Sequence, residues 1–404
     1  MASRLLWMGY SHGGGRTKLD VGGPGSKVLL TGSRSKDMAA LAVVSAKEAG
    51  TAPVVLDLDG STSRYVSGYL DAYDYRSFLY DSFRLEEPEA WHAQLAAAAY
   101  TAALDLSGEE ESILNAAMQA VASDGTLLSP VSLHDVIGKV EGFRGFYVDK
   151  LKGRIGALSL FDAVDDQSIV KLVEGNLVID FHLAPYPQAA ELAAGLFLAK
   201  FLTLAHSRGT GDGFLLITDA HRIFRGSPRP VQSNRLLSHL LDWQGAVVFS
   251  TGQPSSLSPL LLQSCPVQVF SSDSWHSQPR PVEPVLSGSF VLSDRRTERT
   301  ESFVPRLVTA KSADYVRAAS ATYPARGLTA RILEEVGRYP HTTPESLVQY
   351  FAPEFLPADV TAALASLERE GCLVLEPKDV GSGPRVFSYT VTDKGRRRLK
   401  ELSG

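Results

Sequence analysis

The stretch 28-VLLTGSRSKDMAALAV-43 decides how the rest of the chain reads. An apolar strand, Val28 to Leu30, runs into Thr31-Gly32, and an alanine-rich helical pattern follows from Asp37. A strand, a glycine turn and a helix in succession aim backbone N–H groups at whatever lies over the helix start, which suits an anion. The phosphate-binding pattern G-x-x-x-x-G-K-[ST] has these parts, with a Lys for the outer phosphates and a hydroxyl for Mg²⁺. Here Gly32 and Lys36 survive as residue types. Ser35 stands where a second Gly would allow close backbone approach, and Asp37 stands in place of the hydroxyl. The run from Gly32 to Lys36 is also shorter than the full cradle.

Outward from this stretch, short apolar runs alternate with helical patterns, the signature of a parallel sheet covered on both faces. Strands are expected at Lys27–Thr31, Pro53–Asp57, Leu177–Asp180, Phe214–Thr218, Ala246–Ser250 and Val267–Phe270, with helices at about Asp37–Ala49, Ala189–His206 and Asn234–Leu241. The glycine-rich residues 11–26 read as an ordered lead-in loop or a flexible entry to the core. Residues 87–171 show helical periodicity and read as a helical insertion, because structureless loops of that length are rare in compact domains.

The pattern changes near residue 310. Residues 1–310 form the α/β core, 311–326 a linker, and 327–404 a separate unit. In that unit helix, helix, helix, hairpin and a basic helix succeed one another, the order of a winged helix-turn-helix. Its third helix, PADVTAALASLERE, lacks the Arg, Lys, Asn and Gln that usually read base edges. The positive charge lies at Lys378, Arg385, Lys394, Arg396, Arg397 and Arg398, where it suits phosphates without reading sequence.

Two further segments complete the core. The first, 214-FLLITDAHRIF-224, is an apolar strand that ends in Thr218-Asp219-Ala220-His221. In the second, 248-VFSTGQPSSLSPLLLQSCPVQVF-270, a strand ends near Gln253-Pro254-Ser255 and an apolar helix and another strand follow. Together with Gly32–Asp37 and the strand ending Asp57-x-x-Gly60, these segments resemble the HerA–FtsK group of DNA-pumping P-loop ATPases. The resemblance covers roughly residues 25–310. It implies a RecA-like core, with Thr218 where the family has the Asp beside Mg²⁺ and Asp219 where it has the Glu that acts as base. Gln253 falls at the family's sensor of the outer phosphate.

With the loop hydroxyl and the strand Asp both replaced, magnesium loses its usual anchors, and such losses cost several kcal/mol of transition-state stabilisation. The sequence therefore predicts a degenerate, non-catalytic relative with no cofactor. It would be a pseudo-ATPase, acting as a DNA-associated assembly or docking protein in DNA processing, chromosome organisation or transfer. Two alternatives stand beside it. One is an active, DNA-stimulated ATPase that takes ATP and Mg²⁺ in an unusual metal geometry. The other is a winged-helix transcription regulator with an oligomerising core. Arg222 and Arg225 are read as intersubunit fingers, as DNA contacts or as salt-bridged surface residues.

Composition bounds the rest. The 404 residues are 44% hydrophobic and 21% charged, with a net charge of −5, which argues against bulk-charge coating of nucleic acid. Two cysteines and nine scattered histidines make no metal-ligand spacing. No apolar leader follows Met1, and Ala189–Ala205 reads as a buried helix shorter than a bilayer span, so a cytoplasmic protein without membrane contact is expected. DNA is the expected partner, along with further copies of the chain or an active motor or nuclease.

Overall fold

The computed structural model describes residues 5–11, 14–22, 25–158, 168–182, 184, 187–209, 213–226, 233–271, 289–306, 328–338, 342–351, 357–378 and 386–403. The chain divides into two compact units, Met1–Tyr315 and Val316–Gly404.

The first unit is built on one mixed sheet. Its strands are β1 (Leu5–Ser11), β2 (Arg16–Asp20), β3 (Lys27–Thr31), β4 (Pro53–Asp57), β5 (Asp71–Asp74), β6 (Leu177–Asp180), β7 (Phe214–Ile217), β8 (Ala246–Thr251), β9 (Val267–Ser271), β10 (Phe290–Asp294) and β11 (Arg299–Pro305). The spatial order is β2-β1-β11-β10-β9-β3-β8-β7-β4-β6-β5. From β9 to β5 the strands are parallel, and from β9 through β10, β11 and β1 to β2 they are antiparallel.

The parallel strands are buried on both faces, which is why their sequences read as continuous apolar runs. Alternate side chains serve two cores. Leu29, Val54, Leu56, Leu215, Ile217, Val247 and Phe249 face one, with the insertion helices and helix Pro187–Arg208. Val28, Leu30, Val55, Leu216 and Val248 face the other, against helix Ser35–Glu48.

The insertion folds as helices Glu89–Leu104, Gly108–Asp124, Pro130–Ile137 and Gly145–Ala157. Helix Glu89–Leu104 packs against Pro187–Arg208 at a close crossing. A Cβ on Gly195 would stand 2.8 Å from Ala99 Cβ, so only a small pair lets these backbones meet. Helix Pro187–Arg208 is longer than the sequence reading, because polar residues extend both of its ends. By length and composition it could cross a membrane, with a mean hydropathy of 1.3, and 94% of that apolar window is buried inside the unit.

The glycine-rich lead-in is corrected. Within it, Arg16–Asp20 form β2, which pairs antiparallel with β1 before it, with Leu6, Met8 and Leu19 turned into the core. The edge strand β5 also escaped the sequence reading, since its residues Asp71–Asp74 are polar and half exposed.

The second unit contains helices Leu328–Arg338, Pro344–Phe351 and Pro357–Arg369, the antiparallel strands β12 (Leu373–Lys378) and β13 (Val386–Val391), and helix Asp393–Ser403. Ile332, Leu333, Leu347, Phe351, Leu364, Leu367 and Tyr389 form its core. Gly395 sits where a Cβ would be 2.3 Å from Cys372 O, so glycine is needed for the last helix to seat on β12. The expected linker, residues 311–326, lies outside the described residues.

Candidate functional site

The parallel strands β3, β8, β7 and β4 are neighbours and all end at one edge of the sheet. Ligands of open parallel sheets bind beyond such C-terminal ends. Three strand ends carry the residues singled out in the sequence: Gly32–Asp37 after β3, Thr218 and Asp219 after β7, and Gln253 after β8. β8 lies between the other two strands.

Only Gly32, Ser33 and Arg34 join β3 to helix Ser35–Glu48. Gly32 has φ 104, a left-handed conformation that favours glycine. Ser35 N donates to Gly32 O at 3.0 Å and Gly32 N to Thr251 O at 3.2 Å, closing a tight turn. Such a turn does not wrap a phosphate. It presents the first turn of a helix, whose N–H groups lack intrahelical partners, and the Lys36 side chain. Ser35 is buried, and its carbonyl accepts Ser250 Oγ at 3.1 Å. Asp37 is exposed and paired with Arg34 Nε at 3.0 Å.

Lys36 reaches across the edge to Asp59, two residues beyond β4, and forms an ion pair with its Oδ2. The other oxygen of Asp59 accepts Ser61 N at 3.1 Å and Ser61 Oγ at 2.6 Å. The sequence reading missed Asp59. Its only signal was a second acidic residue in Asp57-Leu-Asp59-Gly60.

Thr218 is 1% exposed and does not face the edge. Its Oγ1 donates to Asp57 Oδ1 at 2.9 Å and accepts Leu58 N at 2.9 Å. Asp57 also accepts Ser63 N at 2.6 Å and Ser63 Oγ at 2.7 Å. Burial raises the Asp57 carboxyl to about 6, the Asp180 charge adds to this, and the bonds from Ser63 and Thr218 oppose it. Beside it, His182 Nδ1 lies 2.6 Å from Asp180 Oδ1. Burial works against protonation of that ring, yet Asp180 and Asp57 carry its pKa above the ordinary value.

Asp219 adopts a left-handed conformation, φ 43 and ψ 41, at the turn after β7. Burial raises its carboxyl above the usual range, while the charges of Lys36 and Arg222 pull it back. Thr251 Oγ1 connects two strand ends, 2.9 Å from His221 Nδ1 and accepting Gln253 N at 2.9 Å. Burial and then the charges of Arg222, Arg225 and Lys36 push the His221 pKa down. The Gln253 side chain is exposed.

Arg222 and Arg225 are held inside the unit. Arg222 Nε lies 3.4 Å from Glu191 Oε1, and its Nη1 and Nη2 donate to Leu58 O at 3.1 Å and Pro187 O at 3.2 Å. Arg225 pairs with the other Glu191 oxygen. With His221, Gly226, Ser255 and Ser256 they line an open cavity of about 470 Å³.

In the second unit Lys394, Arg396, Arg397 and Arg398 lie exposed on helix Asp393–Ser403. Arg396 Nε is 3.7 Å from Asp393 Oδ1, and Arg397 Nε donates to Asp393 O at 3.4 Å. Lys378 ends β12, and Arg385 lies outside the described residues.

Among the described residues, no group of three or more His, Cys, Asp or Glu is placed to hold a metal ion by itself. A nucleotide phosphate fits the site through Lys36 and the helix start, whose chemistry is that of an anion seat. Thr218 adds no metal ligand, because its hydroxyl is already bonded on both sides.

No protein-family model and no curated protein matches the sequence. Solved structures do. VirB4 of Thermoanaerobacter pseudethanolicus aligns with a TM-score of 0.57 at 10% identity, over 75% of this chain and 96% of that one. The plasmid coupling protein TrwB, in complex with the ATP analogue ADPNP, aligns with a TM-score of 0.49 at 14% identity, over 72% and 87%. The genome packaging NTPase B204 from Sulfolobus turreted icosahedral virus 2, in complex with ATP-gammaS, aligns with a TM-score of 0.35 at 10% identity, over 70% and 98%. Two expectations are corrected, that the chain is not an enzyme and that it takes no cofactor: a chain with the fold of VirB4 does not carry either absence on its sequence alone. The sequence reading had inferred both absences from two substituted positions alone. The first unit has the α/β fold of VirB4.

Proposed function

We propose that the chain is a nucleotide-dependent DNA-processing protein of the FtsK/HerA-like kind, which binds and hydrolyses ATP with Mg²⁺ and handles DNA as an oligomer. The observation that carries this reading is the convergence of Lys36, Asp219 and Gln253 on neighbouring strand ends of a VirB4-like sheet.

Lys36 and the N–H groups at the start of helix Ser35–Glu48 hold the outer phosphates. Asp219 orients water toward them and accepts its proton, a role suited to a carboxyl whose pKa is raised by burial. Gln253, held at its backbone by Thr251, senses the outer phosphate. When bound, Mg²⁺ would supply neutralisation of phosphate charge, and Asp37 is the carboxylate of the loop region that would hold it.

In the same proposal residues 327–404 are a winged helix. Its basic residues Lys378, Arg385, Lys394, Arg396, Arg397 and Arg398 contact DNA phosphates without reading bases.

The test is hydrolysis by the full chain, with and without double-stranded DNA, beside Lys36→Ala and Asp219→Asn. Magnesium-dependent turnover that both substitutions abolish is the expected result. Turnover unchanged in both variants would place any activity outside this site and sink the assignment.

A further inference from the structure

We infer that Asp59 is the gate of the Lys36 site. Its carboxylate holds the place on the Lys36 ammonium that a nucleotide phosphate takes, so that the site selects magnesium-complexed nucleotide over free nucleotide. This rests on the nucleotide reading of the site and adds to it a residue and a rule of selection.

The Asp59 carboxylate is delivered by a built turn. Asp59 accepts Ser61 N and Ser61 Oγ through one oxygen, which leaves the other for Lys36. Gly60, between them, has φ 73, and a Cβ there would stand 2.7 Å from His182 Nδ1. The turn therefore packs closely against the His182 side chain. That ring is fixed in turn, with His182 N donating to Asp180 Oδ1 at 2.9 Å and Nδ1 at 2.6 Å from the same oxygen. β4 and β6 together thus set where the Asp59 carboxylate stands, and Lys36 comes to it from the other side of the edge.

The pair is open to exchange. The Lys36 and Asp59 side chains are 42% and 21% exposed, and ion pairs with that much water around them are weak. A phosphate carries more charge than a carboxylate and displaces it.

Displacement has a consequence for the ligand. Once a phosphate occupies Lys36, the freed Asp59 carboxylate and Asp219 both stand near a polyanion, and Asp37 follows Lys36 directly. Like charges at such range repel unless a cation accompanies the ligand. Nucleotide with Mg²⁺ enters on better terms than nucleotide without it.

The experiment is calorimetric titration of the full chain with ATP in magnesium and with ATP in EDTA, for the wild type, Asp59→Asn and Lys36→Ala. Asp59→Asn is expected to bind ATP more tightly than the wild type, by about fivefold with magnesium, the scale of an exposed ion pair. Its gain without magnesium is expected to be larger, so that the preference for the magnesium complex shrinks. Lys36→Ala is expected to bind weakly in both. Binding by Asp59→Asn where the wild type shows none supports the gate as well. Equal affinities and an equal magnesium preference in wild type and Asp59→Asn overturn the gate and leave the nucleotide reading standing. If no variant binds, and Lys36→Ala is no different, the gate and the nucleotide reading fall together.

Discussion

Thr218 Oγ1 lies 2.9 Å from Asp57 Oδ1 and accepts Leu58 N–H at the same distance, so the hydroxyl at the end of β7 ties two strands together. It is a structural bond at the position where the resemblance implies a metal carboxylate. Thr218→Val leaves the Leu58 N–H and one Asp57 oxygen without partners in a dry place, and is expected to cost about 2 kcal/mol of stability. Thr218→Asp, the change that restores the family's residue type, sets two carboxylates side by side and is expected to cost more. Denaturant unfolding of both variants checks this. A wild-type midpoint for Thr218→Asp would mean that the pocket around Asp57 is wetter than its burial implies.

Asp57 itself sets a pH dependence. Its folded pKa is raised to about 6 by burial, above the ordinary value of 3.8. Between those two values the folded state binds more protons than the unfolded chain. Asp57 therefore lowers stability as pH rises from about 4 to about 6, and this cost remains at neutral pH. The full size is about 3 kcal/mol for a shift of about two units. Asp57→Asn is expected to remove that slope. Relative to the wild type, it should gain stability between pH 4.5 and pH 7, as read by urea midpoints at a series of pH values. A constant offset between the two proteins across that range would show that the carboxylate is not buried as described.

Much of the fold was legible because β3, β4, β6, β7 and β8 are covered on both faces and write themselves as apolar runs. The helical insertion was legible through periodicity. What stayed hidden depends on strand order. Lys36 and Asp59 are 23 residues apart, and β4 lies three places from β3 in the sheet, so no local spacing announces their pairing. The partner of Arg222 and Arg225 is likewise Glu191, more than 30 residues away on another helix. β1 and β2 stay hidden because they are only partly buried, not continuous apolar runs, and their hairpin is glycine-rich. Thr218 reads as a damaged metal ligand in the sequence, and only its bond to Asp57 gives it another role.

Glu191 offers a third check. It is 5% exposed and holds both Arg222 and Arg225 at the rim of the cavity beside His221. Glu191→Gln keeps the shape and removes the charge, leaving two guanidinium groups to face each other across a neutral amide. A loss of about 2 kcal/mol is expected, since hydrogen bonds to charged groups are the stronger ones. The His221 pKa, already lowered by burial and by these arginines, should fall further because the compensating carboxylate is gone. The shift is read by NMR titration of the ring. A melting temperature and a His221 titration both equal to the wild type would show that the two arginines do not depend on Glu191.

The last helix decides whether the second unit grips nucleic acid. Lys394, Arg396 and Arg397 project from helix Asp393–Ser403 and are exposed, so replacing all three by Ala leaves the core of Leu333, Leu367 and Tyr389 untouched. If they neutralise phosphates, each contact removes about 0.9 from the slope of log affinity against log salt for double-stranded DNA. The triple variant of the full chain is therefore expected to bind DNA more weakly at low salt, by a factor that does not depend on sequence. Its salt slope should be shallower by about 2 to 3. Weaker binding to one sequence only would instead point to base readout, which the composition of helix Pro357–Arg369 does not favour. An unchanged slope would assign this charge to solvent, or to contact with another protein chain, and would leave DNA handling to the first unit alone.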